Sequence, residues 1–181
     1  MKTSFLPLFI AVILFFGGIT GKAFSQVDLQ IQLTDTPPVI DGTMDAIWNT
    51  SNAYELNKIL LGGAPSASDL SAYFKTLWDT SNFYVLAVVT DDARVKDSET
   101  IWQDDAIEVY LDINNEKQTS YGPTDYQYTF RWNDQTVYVS NGITTNIEFK
   151  ISNTSTGYIL EVKFPWSTLN LSDPKSGVLL G

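Results

Sequence analysis

Two short stretches hold side chains whose types and spacing could do chemistry. Asp105–Asp112 and Tyr126–Trp132 both alternate in polarity, and alternation in a strand sends successive side chains to opposite faces. In the first stretch Asp105, Ile107, Val109 and Leu111 share one face, while Ala106, Glu108, Tyr110 and Asp112 share the other. In the second, Tyr126, Tyr128, Phe130 and Trp132 form the apolar set, opposed by Gln127, Thr129 and Arg131. If the two strands share a sheet, Glu108, Tyr110, Gln127, Thr129 and Arg131 cover one surface. A fixed carboxylate, amide and guanidinium suit sugar hydroxyls, which both donate and accept hydrogen bonds. A solvated polar face is the ordinary outcome for an antiparallel sheet, and alternation alone favours it.

Trp102 weighs on the other side. It lies in Glu99–Asp105, a polar connection just ahead of the Glu108 strand, where a large ring is costly to expose. A flat indole there can stack on the apolar face of a pyranose ring; the competing reading folds it back onto the core. Trp48, Trp78, Trp132 and Trp166 read as core residues from their apolar neighbours and strand ends. Acidic pairs punctuate the chain at Asp91-Asp92, Asp104-Asp105, and Asp41 with Asp45. Carboxylate oxygens of this kind suit calcium, although acidic turns are common without metal. Glycoside hydrolysis needs two carboxylates flanking the scissile bond. Glu108 with Asp105 or Asp125 is the pair available, and Asp105 falls on the opposite strand face from Glu108.

The positioning elements read as strands. The candidates are Asp28–Leu33, Ala72–Trp78, Phe83–Thr90, Ala106–Asp112, Tyr126–Trp132, Ile147–Ser152 and Tyr158–Phe164, separated by Gly, Pro, Asn, Asp and Ser. This spacing predicts an all-β domain, an antiparallel β-sandwich of jelly-roll type. Asp45–Asn52 is expected to form a helical turn that docks Ile47 and Trp48 onto the core. The chain has 181 residues with no cysteine and no histidine, which excludes disulfides, thiolate or Ser-His-Asp catalysis, imidazole ligands and histidine-ligated haem. Its formal net charge is −10, from 11 basic and 21 acidic residues. That argues against nucleic acid and anionic membranes, which need a positive footprint.

Residues 1–25 read as a secretory signal peptide: Lys2, an apolar run from Phe5 to Phe16, then Ala23 and Ser25 ahead of a cut before Gln26. The run is shorter than the ~20 residues of a membrane span. A protein secreted or held at a bacterial cell surface is therefore expected, with one domain over residues 26–181 and no membrane insertion after cleavage. Ser176–Gly181 reads as a turn and the start of a strand, so the domain is expected to lack its last strands.

In order along the chain, Pro37–Trp48, Leu77–Asp79, Phe83–Asp91, Trp102–Asp112, Asp125–Gln127 and Gly157–Trp166 resemble the carbohydrate-binding modules of family 9. The resemblance implies a non-catalytic β-sandwich that binds β-glucan or xylan, often at the reducing end. It also implies structural calcium and attachment to secreted glycoside hydrolases that degrade polysaccharides. Trp102 matches the first of two tryptophans that clamp the sugar, and the second falls beyond Gly181. Glu108, Asp125 and Gln127 match polar contact positions. Thr129 and Arg131 straddle the place of the family's arginine, and Arg131 is taken with the sugar contacts. Asp91 matches the calcium-region aspartate, and Asp92 is its acidic neighbour. A single aromatic stack is worth ~1–3 kcal/mol, so half a clamp is expected to bind roughly tenfold or more weakly. The alternatives are a calcium-stabilised structural or adhesion domain of a cell-surface protein and, further off, a glycoside hydrolase.

Overall fold

The computed structural model describes residues 29–178 and 180–181; the expected signal segment lies outside them. Among the described residues there are nine strands: β1 (Gln32–Leu33), β2 (Tyr54–Glu55), β3 (Leu70–Trp78), β4 (Asn82–Asp91), β5 (Ala106–Asp112), β6 (Asp125–Arg131), β7 (Val137–Asn141), β8 (Glu148–Asn153) and β9 (Gly157–Pro165). Six build a large sheet in the order β1-β3-β4-β9-β8, with β2 also on β3, and β5-β6-β7 form a second sheet. Pairing is antiparallel except for β1, which runs parallel to β3 at Leu77 and Trp78. Two strands exceed the sequence expectation, β2 and β7. The two-residue β2 is below the length at which periodicity shows.

Between the sheets, Phe83, Val85 and Ala87 of β4 and Leu160, Val162 and Phe164 of β9 meet Leu111, Tyr126, Tyr128 and Phe130 of β5 and β6. Phe164 stacks against Phe83 and packs edge-on against Phe130. The small sheet thus turns its apolar set inward, as alternation predicts. β4 and β9 are buried on both faces, which is why they read as continuous apolar runs. Their second face is covered by a 3-10 turn at Ala46–Thr50 that places Trp48 against Leu77, Tyr84 and Leu86.

That second contact is organised by Glu161, fully buried on β9. Its carboxylate accepts from the Trp48 indole N–H at 3.0 Å, from the Gly42 N–H at 2.8 Å and from the Asp41 N–H at 3.2 Å. Gly42 sits at φ +84, and a Cβ there would lie 2.0 Å from the Ser152 hydroxyl oxygen, so both the backbone angle and the space require glycine. Trp166 is buried and Trp78 packs against the core, as expected, but Trp132 does not. It lies just past the end of β6, half-buried, with its indole N–H donated to Asn153 and the Arg94 guanidinium over its ring. At the other end of the small sheet, Gly181 exchanges two backbone hydrogen bonds with Asp112 on the β5 edge.

Glu161→Ala leaves three N–H donors without their acceptor, those of Trp48 and Gly42 in the interior. The expected loss is roughly 3–5 kcal/mol of unfolding free energy, as when one partner of a buried charged group is deleted. Urea denaturation reads it, and a loss under 1 kcal/mol would show that Glu161 does not anchor the Trp48 segment.

Candidate functional site

The outward face of the small sheet follows from its register. Glu108 pairs with Thr129, Tyr110 with Gln127, Asp112 with Asp125 and Ala106 with Arg131; Tyr138 of β7 continues the Thr129 row. Residues directly opposite point to the same side, so the polar side chains expected on one surface do share it.

At the centre is a closed hydrogen-bond network. Glu108 Oε2 accepts from the Tyr110 hydroxyl at 2.6 Å, and Glu108 Oε1 accepts from Thr129 Oγ1 at 3.0 Å. The Gln127 amide donates to the Tyr110 oxygen at 3.0 Å and approaches Glu108 Oε1 at 3.4 Å. Gln127 Oε1 accepts from the Tyr121 hydroxyl at 2.5 Å. Burial, reinforced by the neighbouring Glu108 carboxylate, pushes the Tyr110 phenol up to about 12, so Tyr110 remains a donor through the neutral range. Glu108 keeps unused lone pairs directed at solvent.

Two loops flank this network, and each is tied down by a residue expected to touch ligand. The Trp102 loop contains a 3-10 turn (Ile101–Gln103) and leaves the indole 78% exposed, so the ring has not folded back. Asp104, the next residue but one, has a fully buried side chain. It accepts backbone N–H groups of Asp97 and Ser98 and a guanidinium N–H of Arg131 at 3.0 Å. Arg131 spends its other donors on Ser98 O, twice on Asp134 Oδ2 and on the Tyr138 hydroxyl. All five guanidinium N–H groups are engaged within the protein. Arg131 therefore has no donor left for a sugar; it holds the Trp102 loop against the sheet edge. Asp125 is buried too, and its carboxylate accepts the Gly122 N–H at 2.5 Å while Asn141 donates to Gly122 O. It thereby anchors the connection that carries Tyr121. The sequence reading missed Tyr121 because that residue lies in no strand and its bond to Gln127 exists only once the connection folds over β6.

The electrostatics agree with these assignments. Backbone N–H donors from Ser98 and Asp97, together with Arg131, hold the Asp104 carboxyl below its ordinary value. Burial alone would raise Asp134, but Arg131, Gln135, Tyr138 and Lys96 hold it well below the carboxylate range.

For calcium, Asp91 meets one requirement. It is buried at the end of β4; its Oδ1 accepts the Ala93 N–H, and its Oδ2 is buried without a hydrogen-bond partner. Burial, together with the Asp91 and Asp104 charges, raises the Asp105 carboxyl, against the pull of the Val95 N–H that it accepts. The buried, unpartnered Asp91 Oδ2 is the atom that suits a cation. Asp92 is exposed in the same shallow depression as Asp91, and among the described residues no group of three His, Cys, Asp or Glu is placed to hold a metal. Glu108 has no catalytic partner in Asp105 or Asp125, since each of those carboxylates is committed to a loop backbone.

Residues 40–181 match the family model described as "Carbohydrate family 9 binding domain-like". The chain is 32% identical over 167 residues to endo-1,4-beta-xylanase A of Thermoanaerobacterium saccharolyticum, covering 92% of this chain and 14% of that enzyme. It is 33% identical over 167 residues to exoglucanase XynX of Acetivibrio thermocellus, again covering 92% and 14%. The chain thus spans about one seventh of the length of these relatives. The fold superposes with TM-score 0.72 and 28% identity on a carbohydrate binding module family 9 from Caldicellulosiruptor kristjanssonii in complex with cellotriose, covering 83% of this chain and 72% of that one. The same score and identity relate it to a family 9 module from that organism in complex with glucose.

Arg131→Gln should lower the melting temperature by on the order of 5–10 °C at pH 7. Carboxyls held low in the folded state stabilise above the unfolded pKa and lose that contribution as pH falls through the folded one. The gap between wild type and Arg131→Gln should therefore be full above pH 5 and narrow as pH falls below 3.8, the ordinary aspartate value. A gap independent of pH would detach Arg131 from Asp104 and Asp134.

Proposed function

The chain belongs to the family 9 carbohydrate-binding domains, non-catalytic modules, and from that premise we propose that it binds neutral β-linked glucan or xylan chains on the outer face of β5-β6-β7. The observation that supports this most is an almost bare Trp102 ring on the loop leading into β5, whose outer face carries the pre-ordered Glu108–Tyr110–Gln127–Thr129 network. An indole stacks on the apolar face of a pyranose, while Glu108 accepts hydrogen bonds from its hydroxyls. Because the polar groups are already held by one another, little side-chain freedom is lost on binding. Arg131 and Asp125 act as positioning residues, fixing the loops that carry Trp102 and Tyr121.

The same reading places the protein outside the cell, exported by residues 1–25 and acting in polysaccharide breakdown beside a glycoside hydrolase. It also includes a structural calcium ion. Asp91 would hold the ion through its unpartnered Oδ2, with Asp105 as the adjacent carboxylate, and the ion would neutralise that pair. Asp92, exposed, is a secondary ligand at most.

Isothermal titration with cellobiose and xylobiose tests the site. Wild type should release heat, and Trp102→Ala should bind at least about tenfold more weakly, as for loss of one aromatic stack. Equal affinity in both proteins would remove Trp102 from the site, and a cooperatively folded wild type without heat would sink the sugar-binding face. Calcium at 100-fold over its Kd should raise the melting temperature by about 5–10 °C. Asp91→Asn should abolish that rise, and its persistence would place the ion elsewhere.

A further inference from the structure

The outer face does not end at the Trp102 subsite. Tyr110 and Tyr121 are each 53% exposed, yet both hydroxyls are hydrogen-bonded to the network, Tyr110 to Glu108 and Tyr121 to Gln127. Exposed tyrosines ordinarily lose rotamer entropy when ordered. Here the hydroxyl of each fixes its ring while more than half of its surface stays open. Register puts Tyr110 at the end of the sheet away from the Trp102 loop, since it pairs with Gln127 whereas Arg131, which clasps that loop, pairs with Ala106, and the bond to Gln127 brings Tyr121 to the same end. Ala106 to Tyr110 is four residues of β5, ~14 Å at strand rise, longer than one pyranose ring. The connection carrying Tyr121 is itself pinned by Gly122 to Asp125 and Asn141.

We propose that Tyr110 and Tyr121 form a second aromatic subsite, so that the face accommodates at least two further sugar units of a neutral oligosaccharide laid along β5. This rests on the sugar-binding reading of the same face. The occupant is neutral because Glu108, Asp112 and Asp125 all fall on this face by register, while the Arg131 guanidinium is fully engaged; a uronic acid carboxylate would meet like charge. The stacking surface is the ring of Tyr121, and its hydroxyl serves only as the tether.

The test is the dependence of affinity on chain length, measured by titration calorimetry of the full chain with cellobiose and cellotetraose. Wild type should bind the tetrasaccharide about tenfold more tightly than the disaccharide, the worth of one added stack. In Tyr121→Ala the ratio should fall to near one, and in Tyr121→Phe most of it should return, because the ring survives. Thermal melts confirm that each variant is folded. Equal affinities for the two sugars in wild type would overturn the second subsite while leaving the Trp102 site standing. An undiminished ratio in Tyr121→Ala, or a Phe variant that behaves as Ala, would overturn the ring's role. Binding of neither sugar by folded wild type would overturn the parent reading, and the subsite with it.

Discussion

The surface of this domain depends on a largely covered cation whose donors are all satisfied. Arg131 lies on the face that carries the polar network, and its side chain is only 13% exposed. A guanidinium in that position is tolerable only if its donors are paired, and each one is: to Asp104, to Asp134, to Tyr138 and to the Ser98 carbonyl. The consequence reaches beyond stability. Asp104 belongs to the loop of Trp102, so the same interaction that satisfies the charge fixes where an exposed indole sits. A mirror arrangement at the far end uses Asp125 to hold Gly122, the neighbour of Tyr121. Two loops bearing aromatic rings are thereby moored at opposite ends of one three-stranded sheet.

The sandwich supplies the rigidity these moorings need. Tyr126, Tyr128 and Phe130 interleave with Phe164 and its neighbours between the sheets, which leaves Gln127 and Thr129 no choice but to face outward. The larger sheet is itself braced from behind by Trp48, through Glu161. Ligand-facing groups therefore sit on strands whose other face is close-packed core, and the hydrogen-bonded ring from Thr129 to Tyr121 can hold its shape without a bound molecule. The chain spans only about one seventh of the length of the xylanase and exoglucanase it resembles.

Alternation alone carried much of this into view. Glu108, Gln127 and Thr129 share a face because a period of two leaves no other arrangement once Leu111, Tyr128 and Phe130 are buried. Trp102 stood out because a large ring in a polar connection has few places to go. The resemblance assigns Arg131 and Asp125 to the sugar contacts, whereas their side chains hydrogen-bond within the protein. Whether a polar side chain faces a ligand or a neighbouring loop depends on contacts 27 residues away in sequence, as for Arg131 with Asp104, and no local pattern records them. Trp132 escaped the core for a related reason: it follows the last residue of β6, where alternation no longer binds it, and Arg94 offers its ring an alternative partner. Tyr121 lay in a connection with no period at all.

The central claim is that sugar lies on the β5-β6-β7 face against Trp102. Proton–nitrogen correlation spectra resolve each indole N–H, and three of these are committed inside the protein: Trp48 to Glu161, Trp132 to Asn153 and Trp166 to the Asp79 carbonyl. Titration with cellobiose should move the Trp102 indole resonance and the side-chain amide of Gln127 in step, leaving those three in place. Movement of the Trp132 or Trp166 signals with Trp102 unmoved would contradict the account and put the ligand on another surface.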